Sequence, residues 1–487
     1  MRPVVDFPTT QSSQESRPAA SSSRFTGKHI HFIGIGGSGM SGLARMLLDH
    51  GAILTGSEPK PNAPSLDLAK RGVRISRDQI GQLLSKDIDL VVRTAAVPDS
   101  NPEFQTALRL GIPTIKYAQL LGQIMAERLG IAVAGTHGKS TTTAMISYAL
   151  LTLNADPSFV IGGTVPQLGG GSRSGMGRPF VAEACEFDRS FHNLQPTVAI
   201  ITNVEADHLD CYKDLDDIIA SFRHFASLLP PTGRIITLAD DANALKAISG
   251  LPVEIELCAL ADTSSHELAS SRNITWFTRI TGIKNGCHTG DIYYNSEHAA
   301  SIELSVPGRH NLINATMAVA ACVAAGQDPQ AAATAVGSFT GVDRRMTYIG
   351  TCNGATVLDD YGHHPTEILA TLRALRERYN PARLFCVFQP HQASRTRLLL
   401  NDFGTAFKDA DEILIPDIYF VRDSEADKQA IHATDLVAAI TANQKHARHL
   451  PDFTEILATL KRELKPGDLI VTLGAGTIWE VARDLVT

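Results

Sequence analysis

The sequence of 487 residues has little that is typical of a membrane protein, an oxidising compartment or a nucleic-acid complex. No apolar run approaches the ~18–20 residues that span a bilayer, so we expect no membrane partner. Lys and Arg number 44 against 51 Asp and Glu, a formal charge of −7, whereas nucleic-acid binding needs clustered positive charge. The seven cysteines are dispersed and form no C-x-x-C pair. This indicates reduced thiols in a cytoplasmic protein, not a disulfide or zinc framework.

The chain does have enough apolar sequence for several folded cores. Hydrophobic residues make up 44% and charged residues 20%, as in ordinary globular proteins, and ~150 residues per domain predicts about three domains. The N-terminus is rich in Ser, Pro and Gln, and residues 1–27 are predicted to be a disordered tail. We place the domains at 28–127, 128–341 and 342–487.

Short apolar runs alternate with segments of helical periodicity, and this alternation starts three times. HIHFIGI (29–35), GIAVAG (130–135) and ATVLDDY (355–361) each predict the first strand of a domain. Such alternation is typical of parallel sheets with helices on both faces. The stretch 254–305 is less periodic and predicts antiparallel strands added to the central domain.

A glycine-rich turn, Gly34-Ile35-Gly36-Gly37-Ser38-Gly39, lies between the first predicted strand and a helix. Glycines let the backbone approach a pyrophosphate, and the helix N-terminus favours negative charge. Glu58 ends the next strand, where an acid would bind a ribose. These residues alone leave open a nicotinamide cofactor, another nucleotide diphosphate, or a turn without a ligand.

A second loop, Gly135-Thr136-His137-Gly138-Lys139-Ser140-Thr141, follows an apolar strand and opens a helix. Its backbone N–H groups would hold phosphates, with Lys139 among the phosphate oxygens and the Ser140 hydroxyl on Mg²⁺. It is shorter than the common G-x-x-x-x-G-K-[ST] form, because position 133 is Val. Two nucleotide-type loops in separate domains indicate ATP and a nucleotide-linked second substrate.

Together these patterns predict an α/β fold of three domains. The N-terminal and C-terminal domains are predicted to be Rossmann-like. The central domain is predicted to be a phosphate-loop ATPase-like parallel sheet with added antiparallel strands.

Acidic residues follow two predicted strands of the central domain: Glu183, Glu186 and Asp188 in one place, and Glu205, Asp207 and Asp210 in the other. Oxygen ligands at strand ends beside a phosphate loop suit Mg²⁺, and His208 is either a ligand or a general base. The alternative is a solvated acidic loop in which Asp207 or Asp210 caps a helix.

Further polar side chains stand where ligands are usually bound. Asn311 and Asn314 share one face of a predicted helix, and their carboxamides suit a purine edge, although Asn311 alone is interpreted more readily as an N-terminal cap. In the last domain, Arg395 follows an apolar strand and could hold a carboxylate or a phosphate.

These motifs, in this order, resemble the Mur ligase family over residues 28–487. The resemblance rests on HFIGIGGSGMSGLA, SNPEF, GTHGKST, NVEADHLDCY, PGRHNLINA, DDYGHHPTE and FQPH. It implies an ATP-dependent ligase of peptidoglycan precursor synthesis that joins L-alanine to the lactyl carboxylate of UDP-N-acetylmuramate through an acyl phosphate. It also implies two Mg²⁺ ions, and either a monomer or a homodimer.

The resemblance also implies roles for individual residues. The UDP-sugar site would contain Gly36, Gly37, Ser38, Gly39, Ser57, Thr94 and Ala95. The ATP site would contain Gly135, Thr136, His137, Gly138, Lys139, Ser140, Thr141, His310, Asn311, Asn314 and Arg345. Metal ions would be held by Ser140, Glu183 and His208, and the amino acid would face Asp360, Tyr361 and His391. The catalytic residues would be Lys139, Glu183, His208, His363 and Arg395.

The chain departs mildly from the family pattern at Glu58, where Asp is more usual, and more clearly at four further positions. Cys185 replaces a usual acid, Phe187 a usual serine, and Gln392-Ala393 a usual Arg-Tyr, which bears on metal binding and on how the amino acid is held. Three other functions stay open: a recycling ligase that adds an intact tripeptide to the same sugar, a nicotinamide dehydrogenase, and a catalytically weak nucleotide sensor.

Overall fold

The computed structural model describes residues 23–94, 96–261, 274–443 and 445–487, without the side chain of Ser38. The predicted ligand residue Ala95 and most of the predicted tail lie outside these ranges; of the tail, residues 23–27 are described, and Phe25 among them is buried. The chain forms two compact units, one ending at Thr114 and the other beginning at Ile115.

The first unit is built on a five-stranded sheet of order β3-β2-β1-β4-β5. Its central strand β1 pairs in parallel with β2 and β4, and this is the Rossmann strand order 3-2-1-4-5-6 without the sixth strand. The strands are β1 (His29–Ile33), β2 (Ile53–Ser57), β3 (Arg74–Ser76), β4 (Leu90–Arg93) and β5 (Thr114–Lys116). The helices are α1 (Ser38–Asp49), α2 (Ala63–Lys70) and α3 (Pro102–Arg109).

The second unit opens with α4 (Tyr117–Met125) and contains two sheets. The first has ten strands in the order β15-β14-β13-β12-β11-β10-β6-β9-β7-β8. They are β6 (Leu129–Ala134), β7 (Ser158–Val160), β8 (Ser172–Arg173), β9 (Pro179–Glu183), β10 (Val198–Ile201), β11 (Arg234–Leu238), β12 (Glu254–Ala261), β13 (Trp276–Lys284), β14 (Cys287–Tyr294) and β15 (Glu297–Glu303). Strand β6 lies between β9 and β10, parallel to both.

Helices of this sheet include α5 and α8, which are buried over most of their length because they pack within the central core. The helices are α5 (Lys139–Thr152), α6 (Leu215–Ser227), α7 (Ala242–Ile248), α8 (Arg309–Ala324) and α9 (Pro329–Gly337), with 3-10 helices at Pro166–Leu168 and Phe187–Asn193. The predicted antiparallel addition is confirmed for β13, β14 and β15. The prediction is wrong for β12, which is parallel to both neighbours, because α7 returns the chain to the same end of the sheet.

The second sheet of this unit has six strands in the order β16-β17-β21-β18-β19-β20. They are β16 (Thr347–Cys352), β17 (Ala355–Asp360), β18 (Leu384–Phe388), β19 (Glu412–Ile415), β20 (His446–His449) and β21 (Leu469–Leu473). Its helices are α10 (Pro365–Tyr379), α11 (Ala393–Leu398), α12 (Leu400–Ala406), α13 (Glu425–Ala430), α14 (Ala433–Ala442), α15 (Phe453–Glu463) and α16 (Trp479–Val486).

The predicted α/β class is therefore confirmed, with three sheets that follow one another along the chain. The antiparallel edge strand β16 precedes the predicted first strand of the last domain and was not expected from the pattern. The exact domain boundaries stay predictions. All seven cysteines are free thiols, and among the described residues no helix has the length and apolar content needed to cross a membrane.

Candidate active site

The lysine-bearing loop lies between the end of β6 and the start of α5, as the sequence predicts. Gly138 has a left-handed backbone (φ 82°), and a Cβ there would lie 2.9 Å from Oδ1 of Asn314, so only glycine fits. The Asn203 side chain holds the loop at His137: its Oδ1 accepts from the His137 N–H at 2.8 Å, and its Nδ2 donates to the His137 carbonyl at 3.1 Å. The loop is thus preformed.

Lys139 is folded back into this loop. Its ammonium donates to the carbonyl oxygens of Gly135 (2.5 Å) and Thr136 (3.0 Å), and to Oε1 of Glu186 (2.8 Å). Burial alone would lower the pKa of Lys139, but the neighbouring carboxylates of Glu186 and Glu183 outweigh burial and raise it above its ordinary value. The lysine is therefore a permanent cation at the position where phosphate oxygens are expected.

Two ligand atoms beside Lys139 are buried without a hydrogen-bond partner among the described residues: Oε2 of Glu186 and Nδ1 of His208. The His208 Nε2 lies 3.7 Å from Oε1 of Glu186. Nearby, Glu183 accepts a hydrogen bond from the Gly162 N–H at 2.8 Å, which leaves carboxylate lone pairs free. Buried polar atoms normally have partners, so this donor set fits a bound divalent cation.

These groups line a cavity of about 480 Å³, which we call the reaction cavity. It brings together all five predicted catalytic residues, together with Ser140, Tyr361 and His391. The same walls carry charged residues outside the predicted set, namely Glu186, Asp207, Asp343, Arg344, Glu367 and Arg422.

A second cavity of about 550 Å³ lies on the other side of the loop, and we call it the nucleotide cavity. Six of the predicted ATP ligands line it: His137, Thr141, His310, Asn311, Asn314 and Arg345. Gly138 and Arg345 line both cavities. Burial and the Arg345 guanidinium lower the pKa of His310 to about 4, so its imidazole is neutral. Uncharged groups of this kind suit a purine edge.

Two capping interpretations are wrong. Gly308, not Asn311, is the N-cap of α8, and the Asn311 Nδ2 donates to the Pro307 carbonyl at 2.7 Å. The N-cap of α6 is Asp214, not Asp207 or Asp210. Asp207 is instead buried against Arg395, because an unpaired carboxylate could not be buried there.

His137 lies between two carboxylates from different parts of the second unit. Its Nε2 is 3.5 Å from Oε2 of Glu205, and its Nδ1 is 3.4 Å from Oε1 of Glu367 on α10. Although burial opposes the charge, these carboxylates raise the pKa of His137 to about 9. Thr366 adds a hydrogen bond of 2.7 Å to Oε2 of Glu205. The phosphate loop is thereby joined to the first turn of α10.

Two of the three predicted histidines of the reaction cavity are neutral. Burial lowers the pKa of His363 to about 3, and burial together with Arg395 lowers that of His391 to about 4. Asp360 does not lie with them: it lines the nucleotide cavity and accepts from the backbone N–H groups of Met346 (2.8 Å) and Gly362 (2.7 Å). Asp360 thus lines a different cavity from Tyr361 and His391.

In the first unit, the predicted UDP-sugar residues that the structure describes lie at the carboxyl ends of β1, β2 and β4. Glu58 accepts a hydrogen bond of 3.0 Å from the Gly36 N–H, so this acid closes the glycine turn. The Ser57 hydroxyl is fully buried and donates to Glu103, which also binds His31 at 3.0 Å. The Ser57 carbonyl accepts from the Gly34 and Ile35 N–H groups at 2.9 and 3.0 Å, so this predicted ligand residue is used inside the protein.

Sequence reasoning missed some of the cavity residues. Glu186 and Asp207 belonged to the acidic cluster but were not selected, since periodicity does not show which acid faces inward. Glu367 lies three residues after His364 in a capping box, which is the one signal that could have found it. Nothing in the sequence pattern distinguishes Arg422.

Comparison with known proteins agrees with these features. Three family models match the chain: "Mur ligase family, catalytic domain" over 29–129, "Mur ligase middle domain" over 133–322, and "Mur ligase, glutamate ligase domain" over 344–476. The UDP-N-acetylmuramate–L-alanine ligase of Acetivibrio thermocellus is 42% identical over 94% of this chain and 95% of its own. That of Caldanaerobacter subterraneus is 42% identical over 94% and 96%.

Solved structures are similar over the same extent. The UDP-N-acetylmuramate–alanine ligase of Thermotoga maritima has a TM-score of 0.73 at 25% identity, covering 94% of this chain and 98% of its own. A murein peptide ligase from Psychrobacter arcticus has a TM-score of 0.66 at 26% identity, with the same coverage.

The fold and the lysine-bearing loop define an α/β enzyme of the phosphate-loop class, with a second nucleotide-type turn in a separate unit. The family models cover well over half of the residues, and the relatives exceed 40% identity over nearly the whole chain. The chain belongs to the Mur ligase family.

Proposed function

We propose that this protein is an ATP-dependent amide ligase that joins L-alanine to the lactyl carboxylate of UDP-N-acetylmuramate, a step of peptidoglycan precursor synthesis. Relatives with this name share about 40% of its residues over 94% of the chain. Because ATP and UDP-sugars are cytoplasmic metabolites, we place the reaction in the cytoplasm. UDP-N-acetylmuramate, L-alanine and ATP are the proposed partners.

The observation that carries the proposal is the composition of the reaction cavity. The permanent cation of Lys139 shares one cavity with the carboxylates of Glu183 and Glu186, and with the neutral imidazoles of His363 and His391. Phosphoryl transfer needs cations around a transferring group, and amide formation needs an amine that has lost its proton. This cavity offers both kinds of group.

In the first step, an oxygen of the lactyl carboxylate attacks the γ-phosphorus of ATP. The bond from that phosphorus to the β–γ bridging oxygen breaks, so an acyl phosphate and ADP form. The Lys139 ammonium would turn from the loop carbonyls to the phosphate oxygens, where its charge is most favourable in the transition state. The backbone N–H groups at the start of α5, from Gly138 to Thr141, would hold the phosphates.

In the second step, the amine nitrogen of L-alanine attacks the acyl carbon. The bond from carbon to the phosphate oxygen breaks, inorganic phosphate leaves, and the amine loses a proton. His363 and His391 are unprotonated at neutral pH, but such low pKa values make both imidazoles weak bases for this proton. His208 is the other candidate for this role, as an alternative to binding metal.

We propose that Ser140, Glu183 and His208 hold two Mg²⁺ ions, and we add Glu186 because its second carboxylate oxygen is buried without a partner among the described residues. Bound Mg²⁺ would neutralise charge on the β- and γ-phosphates. For the nucleotide, His310, Asn311 and Asn314 would contact the adenine. The turn at Gly36, Gly37 and Gly39 would bind the UDP diphosphate.

The test is substrate-dependent release of inorganic phosphate. We expect release only when ATP, UDP-N-acetylmuramate and L-alanine are all present, with an amide product of the matching mass. Release with the tripeptide L-alanyl-γ-D-glutamyl-meso-diaminopimelate but not with L-alanine would assign the recycling reaction instead. ATP binding without any amide product would leave only a nucleotide sensor.

A further inference from the structure

Five cationic side chains line the reaction cavity: Lys139, Arg344, Arg345, Arg395 and Arg422. An amino-acid substrate carries a carboxylate, and arginine is the side chain whose geometry matches a carboxylate with two parallel hydrogen bonds. The question is therefore which of these cations has donors free for that group.

Two of the arginines are already committed to the protein. Arg395 is buried, donates twice to Oδ1 of Asp207 (3.1 and 2.8 Å), and donates to the His391 carbonyl at 3.2 Å. Arg344 donates to Asp359 at 3.1 Å and to the Gly474 carbonyl at 2.8 Å. Their donors hold strands and loops together.

Two of the remaining three cations also have partners in the protein. Lys139 uses its ammonium on two loop carbonyls and Glu186. Arg345 pairs with Glu367 at 3.4 Å and also lines the nucleotide cavity. The Lys139 ammonium therefore has no donor to spare. Arg345 keeps donors beyond this one contact, but it lies among the predicted ATP ligands of the nucleotide cavity.

Arg422 differs from all of these. Its guanidinium forms no hydrogen bond with any described residue. Its Nε is 3.4 Å from Oδ2 of Asp210, and its planar group lies 4.2 Å over the ring of Phe187. Its side chain is 43% exposed. A guanidinium above an aromatic ring is attracted by the face of the ring and keeps its edge donors available.

The loop that carries Arg422 is held in place by two polar side chains. Asp423 accepts from the Ser394 and Val421 N–H groups at 3.2 and 3.1 Å. The Gln392 amide donates to the Val421 carbonyl at 3.3 Å. Arg422 itself has a left-handed backbone (φ 60°), an unfavourable conformation that the surrounding contacts must impose.

Phe187 lies between the Arg422 guanidinium and the predicted metal ligand His208. The same ring that stacks under Arg422 makes an edge contact with His208, with ring centroids 5.4 Å apart. His208 contacts Glu186, the partner of Lys139. The phenylalanine thus connects the Arg422 guanidinium to the predicted metal ligands.

We propose that Arg422 binds the carboxylate of the incoming amino acid, and that Gln392 is a positioning residue for the loop that carries it. The inference rests on the proposed function and names the residue that would select for a free α-amino acid. Phe187 and Gln392, two of the positions where the chain departs from its family, then have a shared role: one supports the guanidinium and the other holds its loop.

The test compares L-alanine with L-alaninamide, which has the same amine but no carboxylate. In the unaltered enzyme we expect kcat/KM to favour L-alanine. In Arg422→Met, this preference should fall roughly 10- to 100-fold, as expected for the loss of charge-assisted hydrogen bonds. The KM for ATP should stay within about 2-fold. Arg422→Lys should recover part of the preference, since it retains the charge.

A matched control is Arg397→Met, because Arg397 is similarly exposed (46%) and pairs with Asp427 on the surface. It should leave the preference unchanged. Gln392→Ala should raise the KM for L-alanine and leave that for ATP unaltered. An unchanged preference in Arg422→Met, or an effect confined to the KM of UDP-N-acetylmuramate, overturns the assignment. Failure of the proposed function would appear earlier, as no alanine-dependent phosphate release by the unaltered enzyme.

Discussion

Arg395 and Asp207 form a buried ion pair between the two sheets of the second unit, with one carboxylate oxygen accepting from Nε at 3.1 Å and from Nη2 at 2.8 Å. The residues are 188 positions apart in the chain, and both side chains are less than a tenth exposed. The guanidinium holds the pKa of Asp207 well below its usual range, against the effect of burial. This pair joins the loop after β10 to the start of α11.

Removal of the arginine should destabilise this unit strongly. In Arg395→Met, a buried carboxylate is left without its partner, and we expect a loss of about 3–5 kcal/mol in the free energy of unfolding. Urea denaturation followed by circular dichroism measures this loss. Arg397→Met removes an exposed pair and should cost less than about 1 kcal/mol. Equal losses in both variants would refute a stabilising role for the buried pair. When Asp207→Asn is added to Arg395→Met, the unpaired carboxylate is removed, and part of the lost stability should return.

Lys139→Ala should abolish turnover without unfolding the protein. The lysine is the first residue of α5, and the substitution removes a cation at the expected phosphate site, so phosphate release should fall by at least roughly 10²–10³-fold. Lys246→Ala is the control, since Lys246 is 63% exposed and pairs with Asp216 on the surface. Near-normal turnover of Lys139→Ala, with an unchanged circular dichroism spectrum, would contradict the phosphate-loop assignment.

The cluster of His137, Glu205 and Glu367 should make stability depend on pH. Because its pKa is raised to about 9 from ~6.5, His137 contributes stability that is complete below pH ~6.5 and is lost as pH rises through about 9. Glu205, with a pKa lowered to about 2, contributes above pH ~4.3 and loses its contribution as pH falls further. Both contributions are therefore present at pH ~5–6.5.

The measurement is the free energy of unfolding of the unaltered protein and of His137→Gln at pH 6 and pH 9. The difference between the two proteins should shrink by about 1–3 kcal/mol over this range. His298→Gln, at a histidine that is half exposed, should show no such trend. A difference that stays constant or grows with pH would exclude the charged form of His137.

Replacement of Glu183 should weaken the binding of magnesium in a measurable way. Glu183→Gln removes a proposed ligand charge, so the Mg²⁺ concentration for half-maximal phosphate release should rise at least roughly tenfold. Excess Mg²⁺ should restore part of the rate. Asp188→Asn is the comparison, because Asp188 belongs to the same acidic stretch but is 54% exposed. If both variants respond alike to Mg²⁺, Glu183 is not a ligand.

Part of this fold can be predicted from the sequence because it depends on residues that are close together in the chain. A strand, a short loop with a lysine and a helix leave few alternatives to the arrangement seen at Lys139, because glycine conformations and apolar periodicity are set by neighbours in the chain. The antiparallel strands β13 and β14 follow from alternation in the same way. The parallel direction of β12 does not follow from alternation, because it depends on the path of the connection before the strand, and the residues of the strand give no signal of that path.

What the sequence by itself determined is therefore the α/β class, the two nucleotide-type loops and the set of polar residues from which a site could be built. Only the tertiary structure decided which of them meet. Arg395 pairs with Asp207, His137 with Glu205 and Glu367, while Asp360 and the Ser57 hydroxyl are used inside the protein and Arg422 is left with free donors. The reason is physical: burial forces each charge to find a partner, and that partner is selected by packing between distant segments, which carries no signal in local spacing.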